Sequence, residues 1–248
     1  MKDKVFVVTG ATSGIGLAIA KEISEKRRKV IFIGRDQKKI DKLNSKFVNK
    51  NSYIAMKCNI NDESEVKKTF EEIKKKYGNI FGLVNNAGIN PSRNKIDKTS
   101  LKDWNQTLET NLTGAFLCSK YAINQMKKIK KGSIVNISSV AAFGMKERVS
   151  YSSSKAGLIG LTKSMALDHA KEDIRINCIC PGYIKTKLVK DYLEKLSKKE
   201  HETLIKRHPM HKFGDVEDIA KVVEFLLSNN SKWITGTVIN VDGGYSTY

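Results

Sequence analysis

Only three prolines interrupt the 248 residues, and no apolar run is long enough to cross a bilayer. Met1-Lys2-Asp3-Lys4 runs straight into a strand and offers no secretory signal; together these absences predict a cytoplasmic protein. The four cysteines, Cys58, Cys118, Cys178 and Cys180, have no metal or redox spacing. Cys178 and Cys180 alternate on a predicted strand, so both face one side and read as reduced thiols among apolar neighbours. His208 and His211 flank Pro209 with no further ligand cluster near them, so they read as solvated loop histidines and no metal site is expected. Acidic residues are scarce, 26 against 45 Lys and Arg, giving a net charge of +19. That balance suits nucleic acid or an anionic surface. Here the lysines are dispersed, as in Lys38-Lys39, Lys67-Lys68, Lys74-Lys75-Lys76 and Lys198-Lys199, with no zinc finger, ribonucleoprotein motif or basic tail. The charge therefore reads as decoration of solvated faces, with no nucleic-acid or membrane partner.

What is present is a regular alternation. Val5–Val8, Val30–Ile33, Tyr53–Met56, Ile80–Val84, Ile134–Ile137, Ile174–Ile179 and Val238–Val241 are short, β-branched runs, each followed by turn residues or a helix start. Runs apolar on both faces and separated by helical patterns mean a parallel sheet covered on both sides. Asp36 or Asp62 can cap a following helix, and Ser100-Leu101-Lys102-Asp103 resembles a capping box. Pro91, Pro181 and Pro209 all fall in predicted loops. With no internal repeat or linker, the expectation is α/β: one Rossmann domain over residues 1–248, a doubly wound parallel seven-stranded sheet with helices on both faces. Ligands then belong beyond the carboxyl ends of the strands.

Thr9-Gly10-Ala11-Thr12-Ser13-Gly14-Ile15-Gly16 follows the first strand and opens a helix. Gly10 permits the tight turn, Gly14 lets backbone approach a phosphate, and Gly16 allows close helix–strand packing. The helix N-terminus supplies free N–H groups for a pyrophosphate. At the end of the second strand a carboxylate would hold the free ribose of NAD, whereas this chain has Ile33-Gly34-Arg35-Asp36. Arg35 offers a planar cationic fork to the extra phosphate of NADP, and such bonds are worth roughly 1.5–3 kcal/mol, about tenfold to over a hundredfold in preference. NADP(H) is therefore expected, with NAD(H) the alternative and Asp36 assigned to helix capping.

Tyr151 and Lys155 lie one helical turn apart on a predicted helix and share a face. A phenol with pKa near ~10 is a sluggish acid at neutral pH. A cation at ~4 Å contributes on the order of 4 kcal/mol at an effective dielectric of ~20, about three pKa units. An acidified tyrosine beside a dinucleotide turn means hydride transfer coupled to proton transfer, that is, interconversion of a ketone and a secondary alcohol.

Over essentially its whole length the chain resembles the short-chain dehydrogenase/reductase family in its compact form. Thr9–Gly16 is similar to the family's cofactor turn, Asn85-Asn86-Ala87-Gly88 to its central motif, Tyr151-Ser152-Ser153-Ser154-Lys155 to its catalytic signature, and Pro181-Gly182 with Thr186 to the segment receiving the nicotinamide. The resemblance implies a tetrad of Asn111, Ser138, Tyr151 and Lys155. Ser138 is favoured over the adjacent Ser139 by the thirteen-residue interval to the tyrosine that is usual in relatives. In it Ser138 donates to the substrate oxygen, while Asn111 holds a helix distortion and a water that resupplies protons through Lys155. The implied cofactor contacts are Gly10, Thr12, Ser13, Gly14, Ile15, Gly16, Arg35, Asn59, Ile60, Asn86, Ala87, Gly88, Tyr151, Lys155, Pro181, Gly182, Ile184 and Thr186. Asn59 stands where relatives usually carry Asp against the adenine, and Ser13 where many NADP users carry a base, which leaves Arg35 more of the phosphate.

Substrate contacts are expected from Pro91-Ser92-Arg93, Phe143–Val149 and a variable segment over about 183–213, with Lys185, Lys187, Lys190, Lys206 and Arg207 forming a basic mouth. The nearest general resemblance is to β-ketoacyl-acyl-carrier-protein reductases. Ile129 and Lys128, Lys130 and Lys131 lie where those enzymes present basic residues to the acidic carrier, which implies a carrier-linked carbonyl substrate. Asn90–Ser100 and the longer segment after Thr186 depart from them, so a sugar, polyol or other small-ketone reductase stands beside that reading. A non-catalytic nucleotide- or RNA-binding protein is the alternative of another class. The resemblance also implies a homotetramer, with Asn111–Met126 and Tyr151–Ala170 pairing between subunits and Val241–Tyr245 at a second interface.

Overall fold

A computed structural model describes residues 4–26, 28–46 and 53–247; Met1–Asp3 of the predicted N-terminal run lie outside them. In chain order the elements are β1 (Val5–Thr9), α1 (Gly14–Glu25), β2 (Lys29–Gly34), α2 (Gln37–Lys46), β3 (Tyr53–Lys57), α3 (Glu63–Tyr77), β4 (Ile80–Asn85), α4 (Leu101–Leu108), α5 (Gly114–Met126), β5 (Gly132–Ile137), α6 (Val149–His169), β6 (Ile174–Pro181), α7 (Lys187–Leu193), α8 (Lys198–Lys206), α9 (Val216–Leu227) and β7 (Val238–Val241). The strands form one seven-stranded sheet in the order β3-β2-β1-β4-β5-β6-β7, every pair parallel. All seven strands expected from the β-branched runs are present, most extended by a residue or two.

Because successive strand residues point to opposite faces, runs apolar on both faces feed two cores. Val5, Val7, Ile31 and Ile33 pack with Val66, Phe70 and Ile73 of α3 and Leu117, Ala122 and Met126 of α5. Phe6, Val8, Val30 and Phe32 pack on the other side with Ile19 and Ile23 of α1 and Ile219, Val223, Leu226 and Leu227 of α9. The spacing of the α9 residues traces one helical stripe. Asp62 and Ser100 cap as expected, accepting from the amides of Glu65 at 3.0 Å and Asp103 at 3.0 Å. Asp36 accepts from the Lys39 amide at 3.2 Å, the capping role assigned to it.

One proline departs from expectation. Pro181 is the last residue of β6, paired with Val241, rather than a loop residue. Pairing with β5 has ended at Ile179, so an N–H missing from that side costs no ladder bond. Helices and connections return the chain so that the carboxyl ends of all strands share one edge, and strand order reverses between β1 and β4. A cleft is expected at that edge. Among the described residues no helix is long and apolar enough to cross a membrane.

Candidate active site

The glycine turn is tied to the end of β4. Thr9 Oγ1 accepts from the amides of Asn86 and Ala87, each at 3.1 Å, and Asn86 Nδ2 donates to the carbonyls of Thr9 at 3.0 Å and Gly10 at 3.2 Å. Gly10 has φ +64°, and a Cβ there would lie 2.8 Å from Ala87 Cα; a Cβ on Gly16 would collide with the Gly10 carbonyl and the Asn86 amide. These contacts leave room only for glycine. Asn86 therefore acts partly as a clamp on the turn. Ser13 stands in extended conformation at the start of α1 with its hydroxyl capping nothing, and exposed Gly14 faces Thr186. The free amides of that first turn, bordered by Thr186, form a cradle suited to a pyrophosphate.

At the adenosine end, a Cβ on Gly34 would approach Thr12 Cγ2 to 2.5 Å, so this position excludes a carboxylate on steric grounds as well. Arg35 is exposed, and among the described residues it has no carboxylate partner; Asp36 is occupied by Lys39. These residues fit a dinucleotide with a ribose phosphate. The Asn59 amide donates to Glu65 at 3.0 Å, and its Oδ1 accepts from Asn61 at 3.3 Å. Ile60 is buried against Gly114, so its side chain serves the core.

The helix distortion attributed to Asn111 is a π-helical turn, Glu109–Thr113, between α4 and α5. Asn111 is buried there; its Oδ1 accepts from the Ile89 amide at 2.7 Å, and its Nδ2 donates to the Ile89 carbonyl at 2.9 Å and Ser154 Oγ at 3.0 Å. It thus joins the loop after β4 to α6. Lys155 is buried, and its Nζ donates to the Ile137 carbonyl at 2.8 Å and lies 5.6 Å from the Tyr151 ring centroid. Bare Gly88 makes this possible, since a Cβ there would crowd both Asn111 Oδ1 and Lys155 Nζ.

The electrostatics differ from the sequence expectation. Burial holds the Lys155 amine down at about 8, and burial raises the Tyr151 phenol above its ordinary value. The influences that oppose burial at Tyr151 are a hydrogen bond with Ser139 and the charge of Arg148. Low dielectric disfavours both charged forms, which works against the acidification expected from Lys155.

The two serines have different partners. Ser138 is buried and its hydroxyl donates to the Lys155 carbonyl at 2.8 Å. Ser139 is half-buried, accepts from the Ala141 amide at 3.1 Å, and shares a hydrogen bond with the Tyr151 phenol. Both serines reach the cleft, but the Ser138 hydroxyl is engaged by the α6 backbone. Of the two serines lining the cleft, Ser139 is the one whose hydroxyl acts on the Tyr151 phenol.

Tyr151, Lys155, Ser138 and Ser139 line a cleft of about 720 Å³ together with Ile15, Asn86, Gly88, Pro181, Gly182, Ile184 and Thr186. Asn111 supports it from behind, and the remaining cofactor residues lead away toward β2 and β3. Each expected substrate segment contributes: Arg93, Met145 and Arg148, then Tyr183, Val189, Tyr192 and Leu196. The basic mouth is composed differently. None of Lys185, Lys187, Lys190, Lys206 or Arg207 lines the cleft, and Lys185 pairs with Asp215 at 3.1 Å; besides Lys155, the basic residues present are Arg93, Arg148 and Lys195. α7 sets Val189 and Tyr192 inward, which turns its lysines out.

Two further expectations change. His208 is buried rather than solvated; its Nδ1 donates to the Leu204 carbonyl at 2.9 Å, and its ring meets Tyr183, Phe213 and Tyr245. His211 is exposed. Cys178 and Cys180 are free and fully buried but not in apolar surroundings: their thiols neighbour each other beside Thr162, Ser138 and Lys155.

A family model described as enoyl-(acyl carrier protein) reductase matches residues 10–246. The 3-oxoacyl-acyl-carrier-protein reductase FabG of Aquifex aeolicus is 40% identical over 98% of this chain and 98% of that protein. Among solved structures, ElxO with NADP bound is 34% identical with a TM-score of 0.93, covering 99% of this chain and 100% of that one. The aldohexose dehydrogenase of Thermoplasma acidophilum is 38% identical with a TM-score of 0.87, covering 99% and 95%.

Proposed function

The chain belongs to the short-chain dehydrogenase/reductase family and is an oxidoreductase, and we propose that it reduces the 3-oxo group of an acyl chain borne by an acyl carrier protein, using NADPH. The observation that carries this reading is the meeting of Tyr151, Ser139 and Lys155 in the cleft that the glycine turn borders. NADP(H) is the dinucleotide bound in the solved relative ElxO, and Arg35, Gly34 and the turn Gly10–Gly16 are the residues here that would hold it. Pro181, Gly182, Ile184 and Thr186 would border its nicotinamide. Bound NADPH supplies the hydride; the side chains handle the proton.

Tyr151 gives its phenolic proton to the carbonyl oxygen as carbon gains hydride. Ser139 donates a hydrogen bond to that oxygen and favours the charge developing on it. Lys155, tethered to Ile137, stands next in line to restore the proton. Asn111, through the Ile89 carbonyl and Ser154, positions the inner end of that route. On the surface, exposed Ile129, Lys128 and Lys130 offer a docking patch to an acidic carrier, while Lys131 is already held by Asp173 at 3.3 Å. Crowding by Lys128 lowers the neighbouring Lys74 amine, so an acidic partner would relieve that repulsion. The same reading places the protein in the cytoplasm as a homotetramer.

A second reading, reduction of a small keto-sugar or oxidation of the matching alcohol, is favoured by full-length similarity to the aldohexose dehydrogenase. NADPH absorbance with β-ketoacyl thioesters, keto-sugars and diketones separates the two. Turnover restricted to keto-sugars would overturn the acyl reading. Tyr151→Phe should abolish turnover while NADPH still binds. Arg35→Ala should cost about tenfold or more in kcat/KM with NADPH and little with NADH; a wild-type preference for NADH would reject the cofactor assignment.

A further inference from the structure

The substrate side of the cleft holds two arginines that the reaction above does not use. Arg93 lies in the loop after β4 and Arg148 immediately before α6, and a backbone bridge between Asn94 and Arg148 fixes those loops side by side. Both residues line the cleft. Arg93 places its guanidinium carbon 4.5 Å from the Tyr192 ring centroid, which orients the fork while leaving its N–H edge free. Arg148 is half-buried, and its Nε is buried without any hydrogen-bond partner.

Neither guanidinium has a carboxylate within 4.0 Å among the described residues, although Asp191 lines the same cleft and Glu147 is the adjacent residue. Converging like charges with an unsatisfied buried donor are unfavourable unless an anion joins them. Consistent with this, burial first and the charge of Arg93 second depress the Arg148 guanidinium. A neutral acyl chain would leave that charge uncompensated.

We propose that Arg93 and Arg148 form an anion subsite on the substrate wall, so that the ketone reduced here carries a carboxylate or a phosphate. This rests on the reductase reading above but not on the identity of the acyl carrier. Arg148 is within electrostatic reach of the Tyr151 phenol, so the subsite opens onto the same cleft as the reacting carbonyl. A guanidinium fork takes two oxygens of either oxyanion, and Tyr183, Tyr192 and Met145 enclose the body that links it to the ketone.

Two matched substrate pairs test the subsite: acetoacetate against its ethyl ester, and acetoacetyl-phosphopantetheine against acetoacetyl-N-acetylcysteamine. The quantity read is the ratio of kcat/KM for the anionic member to that for the neutral one. Arg148→Gln and Arg93→Gln should each lower this ratio about tenfold or more in at least one pair. A drop with acetoacetate identifies a carboxylate near the ketone; a drop confined to the second pair identifies the phosphate of the arm. Ratios unchanged in both pairs overturn the proposal. Thermal denaturation with acetoacetate or inorganic phosphate separates this from failure of the reductase reading. If no ketone consumes NADPH yet either anion raises Tm in wild type and not in the double variant, the subsite stands and the reductase assignment falls. No anion effect on Tm together with no ratio change rejects the subsite alone.

Discussion

Ser138 and Ser139 are neighbours in sequence with unlike work. Loss of the Ser138 hydroxyl removes one buried hydrogen bond to the Lys155 carbonyl, worth about 1 kcal/mol, so Ser138→Ala should lower Tm by about 2–4 °C and leave kcat within about threefold. Ser139→Ala should keep Tm and lower kcat roughly a hundredfold, since it removes a donor aimed at developing charge. Steady-state kinetics and melting curves on both variants decide between them, and the reverse pattern would restore Ser138 as the catalytic serine. Lys155 gives a pH dependence. Its amine is held at about 8, below its ordinary 10.5, so the folded chain carries fewer protons than the unfolded chain between those values. Stability contributed by this group therefore rises with pH across that window, by about 3 kcal/mol at most. Activity moves oppositely. Reduction consumes a proton, Tyr151 stays protonated because its pKa is raised, and Lys155 loses its own proton as pH passes about 8. The kcat/KM for reduction should fall above about pH 8, and a profile flat to pH 10 would remove Lys155 from the proton route.

At the scale of elements, the strands were legible because burial on both faces demands continuous β-branched runs, and the first glycine turn because its contacts admit no other residue. Ser139, Arg93 and Arg148 were not resolved as a group, since their convergence depends on a backbone bridge between loops over fifty residues apart in sequence. The cap of α9 was equally hidden. Arg175 on β6 sends Nη2 to the carbonyls of Leu226 at 2.7 Å and Ser228 at 3.1 Å, and Nη1 to that of Ile234 at 3.1 Å. A cation at a helix C-terminus satisfies orphan carbonyls and complements the dipole, yet nothing local to α9 announces it. His208 was misread for the same reason: Pro209 suggests a loop, but the aromatic rings that bury the imidazole come from separate segments. Arg175→Met should cost about 1–2 kcal/mol, because it removes charged donors from carbonyls of Leu226, Ser228 and Ile234 that keep bonds from Ser133, Ser231 and Asn177, and a chemical denaturation midpoint equal to wild type would show the cap to be dispensable.

Across the whole molecule the charge excess and the apolar exposure tell different stories. Some lysines pair locally, as Lys76 with Glu72 at 2.7 Å and Lys120 with Glu63 at 2.8 Å, while the net excess of +19 stays unpaired and is dispersed along the chain. Apolar exposure includes positions on the two long helices. Leu167 of α6 is 82% exposed, Phe116 of α5 is 47% exposed, and Trp233 before β7 is 97% exposed. The first two lie on the helices expected to pair between subunits. Large apolar side chains left in water on two long helices favour burial against a second copy, and a closed symmetric assembly meets that need without leaving a free edge. A charge at Leu167 would then be trapped in an apolar interface. Leu167→Glu should shift the mass measured by sedimentation from tetramer toward dimer or monomer, whereas Lys171→Glu on the nearby exposed turn should not. If wild type sediments as a monomer at micromolar concentration, the exposed leucine has no subunit to cover it and the assembly inferred from family likeness is wrong for this chain.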